Sequence, residues 1–600
     1  MTALATCVAV LSWGGVATAA APTPPAYTSQ LLHFEVHVDS AGLHTCDVLG
    51  ELFTPAVASP SNRMPAILTT NGFGGSYHDQ VGEAEAFAQL GYVVLTYSGL
   101  GFGGSGCQIT LDDPDWDGEA ASQLVSFLGG ENGIAFTDAA HTDAVPGLSD
   151  VIHDPVDHAG THDQYDPRVG MIGGSYGGEV QFAAASVDPR IDTIIPIITW
   201  NNLAYSLAPN DASASSGVAD YTPGAVKSTW AVLFSVEGIA DGLQGASGDP
   251  SRLIGCPNFA TWVCPALLFG GALGFPYPSM LEDLEHASVS SYMPSITIPT
   301  LLMQGENDTL FNLNEAIANY QALRAQGTPV DMVWQSWGHS SPNPAPGEID
   351  LDHPNPTTQY ETGRIVNWFN HYLKGEPVST GPGFAYFRDW VSYQGNAAPA
   401  YASAPSYPVG TLKRFYLSGG KLLVPAPGKP TGSTQAFLTT GAGLPTSIAA
   451  PDAVASSLPP IPQFDLTGTD ASWTSAPLTS ALNVVGSPVL HLSVLAPTAA
   501  LSQVVGPPGQ LVLFAKVFDV SPGGKAQLIN GLVAPSRLTN VNEPFTITLP
   551  AIAHQFGPHD RIEVVLAAGD LNYRGGLVAS PVVITTGSTS QVLTLPVVGP

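Results

Sequence analysis

Charged side chains are scarce in this chain: Asp, Glu, Lys and Arg make up 11% of its 600 residues, and only 18 residues are Lys or Arg. The chain has 49 acidic residues, so its formal net charge is −31. Such a charge argues against nucleic acid or an anionic membrane as a partner. Past the N-terminus no segment is apolar for about twenty residues, so we expect no transmembrane span in the mature protein.

Cysteine is also rare, with five residues, and no C-x-x-C pair occurs, so a structural zinc site is not expected. Cys7 lies in the N-terminal apolar stretch, which leaves four: Cys46, Cys107, Cys256 and Cys264. An even number in an exported chain is consistent with disulfides. Four cysteines allow three pairings, of which we favour the local Cys256–Cys264, leaving Cys46 with Cys107. The alternative is four reduced, buried thiols in a chain that is not exported.

The first residues are typical of a secretory signal peptide. An apolar stretch over residues 3–16 is followed by small residues at 17–21, which offer A-x-A-like cleavage positions. We therefore predict a signal peptide over residues 1–21 and a secreted, extracellular protein. One feature is atypical, since the first basic residue of the chain is Arg63. A buried N-terminal helix is the alternative.

Short apolar strands alternate with helices between residues 30 and 375. Strands are predicted at 65–70, 91–97, 168–173, 192–198, 299–305 and 329–335, and helices near 79–90, 117–128, 175–186, 312–325 and 359–373. This alternation indicates a parallel sheet covered on both faces. The rhythm stops over residues 200–295, where short helical and Gly-rich pieces predict a helical cap inserted into the domain.

The pattern changes after residue 375. Residues 376–410 are rich in Pro, Gly, Ala and Ser, and we interpret them as a linker. Residues 411–600 carry short, turn-bounded apolar runs without helical periodicity, which predicts an all-β jelly roll or sandwich. The predicted fold class is thus α/β with a helical cap, followed by a C-terminal β domain.

The segment Gly173-Gly174-Ser175-Tyr176-Gly177 matches the pattern G-x-S-x-G. A buried strand precedes it and a helix follows it, which is the context of a nucleophile elbow. The glycines suit a sharp turn in which side chains would collide with neighbouring backbone. We therefore predict that Ser175 is a nucleophile, in preference to an ordinary serine in a glycine-rich turn.

A nucleophilic serine needs a histidine base and an acid that orients it, following Ser175 in that order in this type of fold. Asp308 follows the strand 299–305, and His339 follows the strand 329–335, so both leave the same edge of the sheet. We predict His339 as the base and Asp308 as the acid. Glu306 is the rival acid, and an N-cap or a surface histidine is the structural alternative.

The oxyanion of such a reaction needs two N–H donors. The predicted donors are the backbone N–H of Tyr176 and that of Phe73, in the loop after the strand 65–70. No cofactor is implied by this chemistry. The Asp- and His-rich stretch 129–166 shows no repeated metal-ligand spacing, so we interpret it as a solvated loop and predict no metal site.

Together these features resemble the X-prolyl dipeptidyl peptidase and cocaine-esterase-like (CocE/NonD) acyl hydrolases of the α/β-hydrolase superfamily. The resemblance covers about residues 35–600 and rests on these segments: residues 173–178 (GGSYGG), 188–191 (DPRI), 305–308 (GEND), 337–339 (WGH), 368–375 (WFNHYLKG), 415–418 (FYLS), 473–478 (WTSAPL) and 518–520 (FDV). It implies a catalytic α/β-hydrolase domain, an inserted helical cap, and a C-terminal jelly roll that helps to wall the active site.

Two positions depart from that family. Cocaine-esterase-like members use a tyrosine hydroxyl in the oxyanion hole, whereas the matching position here is Phe73, so a backbone donor or Tyr77 must substitute. Where relatives have an Asp-x-Arg-Gly loop, this chain has Tyr-Ser-Gly-Leu-Gly at residues 97–101. A buried ion pair found in relatives is therefore expected to be absent.

The predicted function is hydrolysis of a carboxylic ester or amide through an acyl-enzyme on Ser175, with a small ester or a short peptide as substrate. An ester is favoured, because a dipeptidyl peptidase needs a carboxylate to hold the substrate amine and the sequence singles none out, although the cap could supply one, for example Asp211 or Glu237. Acyl transfer would use the same residues. A binding protein built on a degenerate hydrolase is the alternative from another class, and the sequence leaves the oligomeric state open.

Overall fold

The structure is a computed structural model that describes residues 26–599, except 213–217, 219–221 and 449–463. The predicted signal peptide, residues 1–21, lies outside the described residues. The described chain builds two large β-sheets, the first with helices on both faces and the second without a helical layer.

The first sheet has twelve strands in the order β12-β11-β10-β9-β8-β7-β3-β4-β2-β1-β5-β6. All neighbours from β4 through β3 to β11 are parallel, while β2, β1 and β12 pair antiparallel. Its strands are β1 Tyr27–Val38, β2 His44–Pro55, β3 Ala66–Thr70, β4 Val93–Tyr97, β5 Ala135–Phe136, β6 Ala144–Val145, β7 Val169–Gly174, β8 Ile191–Ile197, β9 Thr300–Gly305, β10 Val330–Gln335, β11 Phe384–Tyr386 and β12 Ala402–Ala404.

Both faces of this sheet are buried, because successive strand residues point to opposite sides. In β3, Ala66 and Leu68 join one apolar core, with helices α2, α3 and α9, while Ile67 joins another, with α1 and α10. The helices of the chain are α1 Val81–Gln89, α2 Glu119–Leu128, α3 Tyr176–Val187, α4 Leu203–Leu207, α5 Ser228–Gly245, α6 Val263–Leu273, α7 Pro278–His286, α8 Val289–Tyr292, α9 Leu313–Gln326, α10 Tyr360–Tyr372 and α11 Pro497–Ser502.

The segment 376–410 is not a linker, and the prediction made from its composition was wrong. Strand β11 pairs in parallel with β10, from Met332 opposite Phe384 to Trp334 opposite Tyr386, and β12 pairs with β11. These strands extend the first sheet. Each has three residues, which is too short for a period of two to stand out among the surrounding Pro, Gly and Ala.

The second sheet follows the order β22-β21-β26-β18-β14-β13-β28-β19-β25, with β20, β23 and β24 attached to it. Its apolar core includes the fully buried Trp473. The strands from residue 411 onward are β13 Thr411–Ser418, β14 Leu422–Pro425, β15 Ser433–Leu438, β16 Ser447–Ile448, β17 Phe464–Asp465, β18 Asp470–Ser475, β19 Leu482–Gly486, β20 Val489–Leu492, β21 Leu511–Val520, β22 Ala526–Leu528, β23 Ala534–Leu538, β24 Phe545–Thr548, β25 Ile552–Phe556, β26 Arg561–Ala567, β27 Pro581–Thr586 and β28 Val592–Val598.

The structure contains two disulfides, one at the first sheet and one within the inserted segment. Cys46 on β2 joins Cys107, which lies in the loop after β4, and Cys256 joins Cys264 at the start of α6. Among the described residues, no helix combines the length and the apolar character that crossing a bilayer requires.

Candidate active site

Ser175 lies on the turn between β7 and α3 and has a strained backbone, with φ 58° and ψ −118°. A non-glycine residue adopts such a φ only where the surroundings force it. Glycines make the turn possible: a Cβ on Gly173 would come within 2.6 Å of the Gly177 carbonyl oxygen, and one on Gly178 within 2.8 Å of that of Ile197. The turn thus holds the Ser175 side chain at the carboxyl edge of the parallel sheet.

His339 links Ser175 to Asp308 through two hydrogen bonds. The imidazole Nε2 lies 2.8 Å from Ser175 Oγ, and its Nδ1 lies 2.7 Å from Asp308 Oδ2. His339 follows β10 and Asp308 follows β9, so adjacent parallel strands deliver both side chains to the same edge. The arrangement has the form in which a serine transfers its proton to a histidine that a carboxylate orients.

The Asp308 carboxylate is fully buried and well supplied with donors. Its Oδ1 accepts the backbone N–H groups of Leu310 at 3.0 Å and Phe311 at 2.9 Å. Its Oδ2, besides the bond to the His339 ring, accepts the backbone N–H of His339 at 3.2 Å. These bonds stabilise the negative charge that an orienting carboxylate must carry. Glu306 does not contact His339: it is buried, and burial raises the pKa of its carboxyl well above the usual range.

The loop after β3 approaches Ser175 closely. A Cβ added to Gly72 would lie 3.6 Å from the Ser175 Cβ, and Asn71 braces this loop by accepting the Gly99 N–H at 3.0 Å. Among the described residues, neither the Phe73 N–H nor the Tyr176 N–H has a hydrogen-bond acceptor. Both amides are therefore available to a ligand at this edge of the sheet.

The Phe73 side chain is an apolar neighbour of the site. The Phe73 ring lies 4.8 Å from that of Phe234 and 5.1 Å from that of Phe102, between centroids, so it belongs to an aromatic wall. Among the described residues, Tyr77 makes its ring contact with His78 and not with this wall, and burial, with Glu51 nearby, raises the pKa of its hydroxyl.

The Tyr176 side chain is fixed beneath the site by buried polar groups. Its hydroxyl donates to Asp117 at 3.3 Å and accepts the Asp112 N–H at 3.1 Å. Burial raises the pKa of Asp117 to about 7, and burial, with Glu179 and Asp117 nearby, raises that of Asp112 well above its usual range. Within the described residues, no basic side chain bonds to these carboxyls.

Asp112→Asn is expected to stabilise the protein at pH 8 by about 1 kcal/mol or more. A raised pKa means that the folded state binds the Asp112 proton more tightly than the unfolded state does. The wild-type protein therefore loses stability as the pH rises above about 4, the pKa of an aspartate in the unfolded chain. The variant has no proton to lose at this position, so its stability does not fall for this reason. Asparagine also tolerates the φ of 59° at this position. Thermal unfolding at pH 4 and pH 8 checks this: the gain must grow with pH, and an equal gain at both values would contradict it.

Ser175 opens into a cavity of about 340 Å³ beneath the cap. None of the described residues that line it is charged, and α5 and α6 supply the largest shares of the lining: Phe73, Leu111, Tyr176, Trp200, Leu203, Leu207, Ala208, Val226, Ser228, Ala231, Val232, Phe234, Ser235, Val236, Phe259, Trp262, Val263, Ala266, Leu267, Gly270, Gly271, Pro276, Leu284 and Phe311. Such a surface accepts an apolar group and offers an ionic one no counter-charge.

Lys227, at the start of α5, was missed by the sequence analysis. Its buried Nζ donates to the carbonyl oxygens of Thr309 and Leu310, both at 2.7 Å. These residues directly follow Asp308, so Lys227 ties the cap to the loop that carries the acid. The sequence did offer one sign of this role. Basic residues are rare in this chain, and a lysine inside an apolar stretch needs a buried partner.

The polar groups of the 129–166 stretch form ion pairs on or near the surface. His158 lies 3.3 Å from Asp192, and His141 contacts Glu35 at 3.1 Å and Asp47 at 3.0 Å. Elsewhere in the described chain, His286 at the end of α7 lies 3.2 Å from Asp113 and 3.3 Å from Asp115. This pairing connects the cap to the loop before α2.

Comparison with protein families identifies one match: residues 48–229 match the model for X-Pro dipeptidyl-peptidase (S15 family). This segment contains β2 to β8, the Gly72-Phe73 loop and Ser175. The resemblance inferred from the motifs is confirmed here, and with it a serine hydrolase that acts on ester or peptide bonds. No curated protein matches the chain.

Solved structures share the whole architecture at low sequence identity. An aminopeptidase from a marine sediment Thaumarchaeota archaeon has 14% identity and a TM-score of 0.63, over 98% of this chain and 99% of that one. A CocE/NonD family hydrolase from Staphylococcus aureus has 13% identity and 0.59, over 95% and 97%. An alpha-amino acid ester hydrolase has 15% identity and 0.59, over 97% and 98%. These likenesses confirm the α/β-hydrolase fold class with its C-terminal β region.

Proposed function

We propose that this chain, an α/β-hydrolase similar over residues 48–229 to the X-Pro dipeptidyl-peptidase S15 family, is an acyl esterase that uses Ser175, His339 and Asp308. The observation that carries the proposal is the combination of a bonded Ser-His-Asp chain with an uncharged, apolar cavity at the serine. The preferred substrate is a carboxylic ester with an apolar acyl group.

In the first half of the reaction, Ser175 Oγ attacks the ester carbonyl carbon while His339 Nε2 accepts the hydroxyl proton. The carbonyl electron pair moves to its oxygen, and the N–H groups of Tyr176 and Phe73 donate to the resulting oxyanion. The intermediate collapses, the bond to the alkoxy oxygen breaks, and His339 gives its proton to the departing alcohol. The acyl group remains on Ser175.

In the second half, a water molecule attacks the acyl carbon while His339 again accepts a proton. The oxyanion forms a second time, the bond to Ser175 Oγ breaks, and His339 returns the proton to the serine. Asp308 holds the imidazole in one tautomer through its hydrogen bond with His339 Nδ1 and stabilises the imidazolium that forms in each half of the reaction.

The cavity lining favours an ester over the N-terminal dipeptide of a peptide. A dipeptidyl peptidase binds a substrate ammonium group, which needs a carboxylate. Of the two candidates, Asp211 is buried and accepts the Tyr205 hydroxyl at 2.7 Å, and Glu237 lies beside Gly74. Neither lines the cavity at Ser175. An ammonium there would be buried without a partner.

Turnover of p-nitrophenyl esters beside X-Pro p-nitroanilides tests this assignment. We expect release of p-nitrophenol, with a preference that rises from acetyl to medium-length acyl chains as the apolar contact grows. The anilides should be turned over poorly or not at all. Faster release from the X-Pro anilides would overturn the esterase in favour of the peptidase.

Leu267→Asp is expected to lower kcat/KM for a soluble octanoyl ester by about tenfold or more, and for an acetyl ester much less. Leu267 lines the cavity, so a carboxylate there opposes burial of a long acyl chain, while an acetyl group stays near Ser175. Leu268→Asp is the matched control, because the adjacent side chain is exposed. Equal losses for both esters would contradict the assigned acyl site.

We also propose that the protein is secreted, as its N-terminal sequence predicts. The two disulfides are consistent with an oxidising compartment, because such bonds rarely persist in the cytosol. Sequencing the N-terminus of protein collected from the culture medium tests this: we expect it to begin close to residue 22, and protein that stays in the cells with Met1 intact would contradict it.

A further inference from the structure

The outer surface of cap helix α5 is apolar, whereas its charged side chains point inward. Its large exposed side chains are Val232, Leu233, Val236, Ile239 and Leu243, and Gln244 is the one polar residue among its exposed positions. A surface helix ordinarily has the opposite polarity, with its apolar stripe toward the core. The outward stripe of α5 therefore calls for a partner outside the fold.

The inner face of α5 has Trp230 near its start and two glycines further along. Gly238 packs against Phe259 and Gly242 against Asn258, each so closely that a Cβ would collide. The two acidic residues of the helix also face the protein: Glu237 lies beside Gly74, and Asp241 has a buried carboxylate oxygen and lies near Arg252. Close packing thus places the aliphatic side chains in water and removes charge from the outer face.

Helix α6 repeats this pattern on the other side of the cavity. It contains no charged residue, and Leu268 and Phe269 are exposed, while the adjacent Leu267 lines the cavity. On α5, Val232 and Val236 are more than three-fifths exposed and also line the cavity. The exposed stripes of both helices are therefore continuous with the mouth of the cavity that leads to Ser175.

We propose that the exposed faces of α5 and α6 form a docking surface for the water-insoluble phase of the enzyme's own substrate, a neutral acyl ester. The proposal rests on the esterase function proposed above. An ester droplet covers the apolar side chains and at the same time supplies acyl chains to the cavity mouth that lies among them.

The surface chemistry selects this occupant over others. Neither helix carries Lys or Arg, and the net charge is −31, so anionic lipid is repelled. A second copy of the chain, or another protein, seated on this face would cover Val232 and Val236 and so close the mouth of the cavity. A neutral ester surface matches both the absence of basic residues and the need for access.

Flotation with an emulsion of trioctanoylglycerol tests the docking surface without relying on catalysis. Wild-type protein should float with the droplets, and added salt should not release it, because the contact carries no charge. The double variant Leu243→Gln/Leu268→Gln should bind at least about tenfold less, because each exposed leucine contributes apolar area to the contact. Neither residue lines the cavity, so turnover of soluble p-nitrophenyl butyrate should match that of the wild type.

Leu501→Gln/Val504→Gln is the matched control, since these residues are 80% and 84% exposed and lie in the C-terminal β region. It should float like the wild type. Loss of flotation in this control alone, or equal flotation of all three proteins, would overturn the docking surface. The docking surface would also be overturned if the wild-type protein did not float but formed a dimer, and if the Leu243→Gln/Leu268→Gln substitutions dissociated that dimer.

The soluble ester separates the two proposals. Wild-type protein that hydrolyses p-nitrophenyl butyrate but does not float overturns the docking surface and leaves the esterase intact. Wild-type protein that hydrolyses no soluble ester overturns the esterase and, with it, the substrate-phase docking, whatever the flotation result.

Discussion

Ser175→Ala is expected to lower kcat for ester hydrolysis by about 10⁵- to 10⁶-fold, the scale on which removing a nucleophile acts in serine hydrolases. The substitution removes the oxygen that forms the acyl bond and leaves nothing for His339 to deprotonate. Substrate binding should change little, because the apolar lining of the cavity is untouched. Residual activity should reflect only the oxyanion donors and bound water.

Ser235→Ala provides the matched control for this experiment. Ser235 also lines the cavity, but its hydroxyl donates to the Ala231 carbonyl within its own helix at 2.6 Å. Its loss should leave kcat within about twofold of the wild type, since nothing else depends on that bond. A small effect at Ser175, or an equal effect at Ser235, would mean that the nucleophile has been misassigned.

Asp308→Asn is expected to lower kcat by about 10⁴-fold at neutral pH. The amide keeps the size of the side chain but removes the charge, so it no longer fixes the tautomer in which Nε2 of His339 faces the Ser175 hydroxyl. The amide oxygen can still accept the backbone N–H groups of Leu310 and Phe311, and this orientation turns the NH₂ group toward His339 Nδ1, where it favours the wrong tautomer.

Glu306→Gln decides between the two acidic residues of this loop. Glu306 is buried, and burial raises the pKa of its carboxyl, so a neutral glutamine suits this position. Its kcat should stay within about threefold of the wild type, because Glu306 does not contact His339. A reversal, with the large loss in Glu306→Gln and a small one in Asp308→Asn, would assign the acid to Glu306.

The strand-helix alternation made the first sheet predictable because its central strands are continuous apolar runs. In β3 and β7, residues on both faces are buried, so the strands contrast sharply with the amphipathic helices between them. The edge strands β11 and β12 escaped detection. Each has only three residues and so shows no periodicity. Pairing of β11 with β10 and of β12 with β11 holds them in place, and a local sequence pattern does not record such pairing.

The proximity of Ser175, Asp308 and His339 could be predicted because each follows a buried strand of a parallel sheet. Strand ends that share an edge bring distant residues together, so spacing along the chain was enough. The cap was different. Its glycine-lined packing and the outward stripe of α5 depend on which face meets the catalytic sheet, and Lys227 acquires its role only through contact with the Asp308 loop.

Labelling with a fluorophosphonate, followed by peptide mapping, tests the central claim most directly. Such a probe reacts only with a serine that a neighbouring base activates. The account predicts one adduct per chain, on Ser175, with loss of ester turnover in proportion to labelling and no adduct in His339→Ala. An adduct on another serine, or full activity in a protein that takes up no probe, would contradict it.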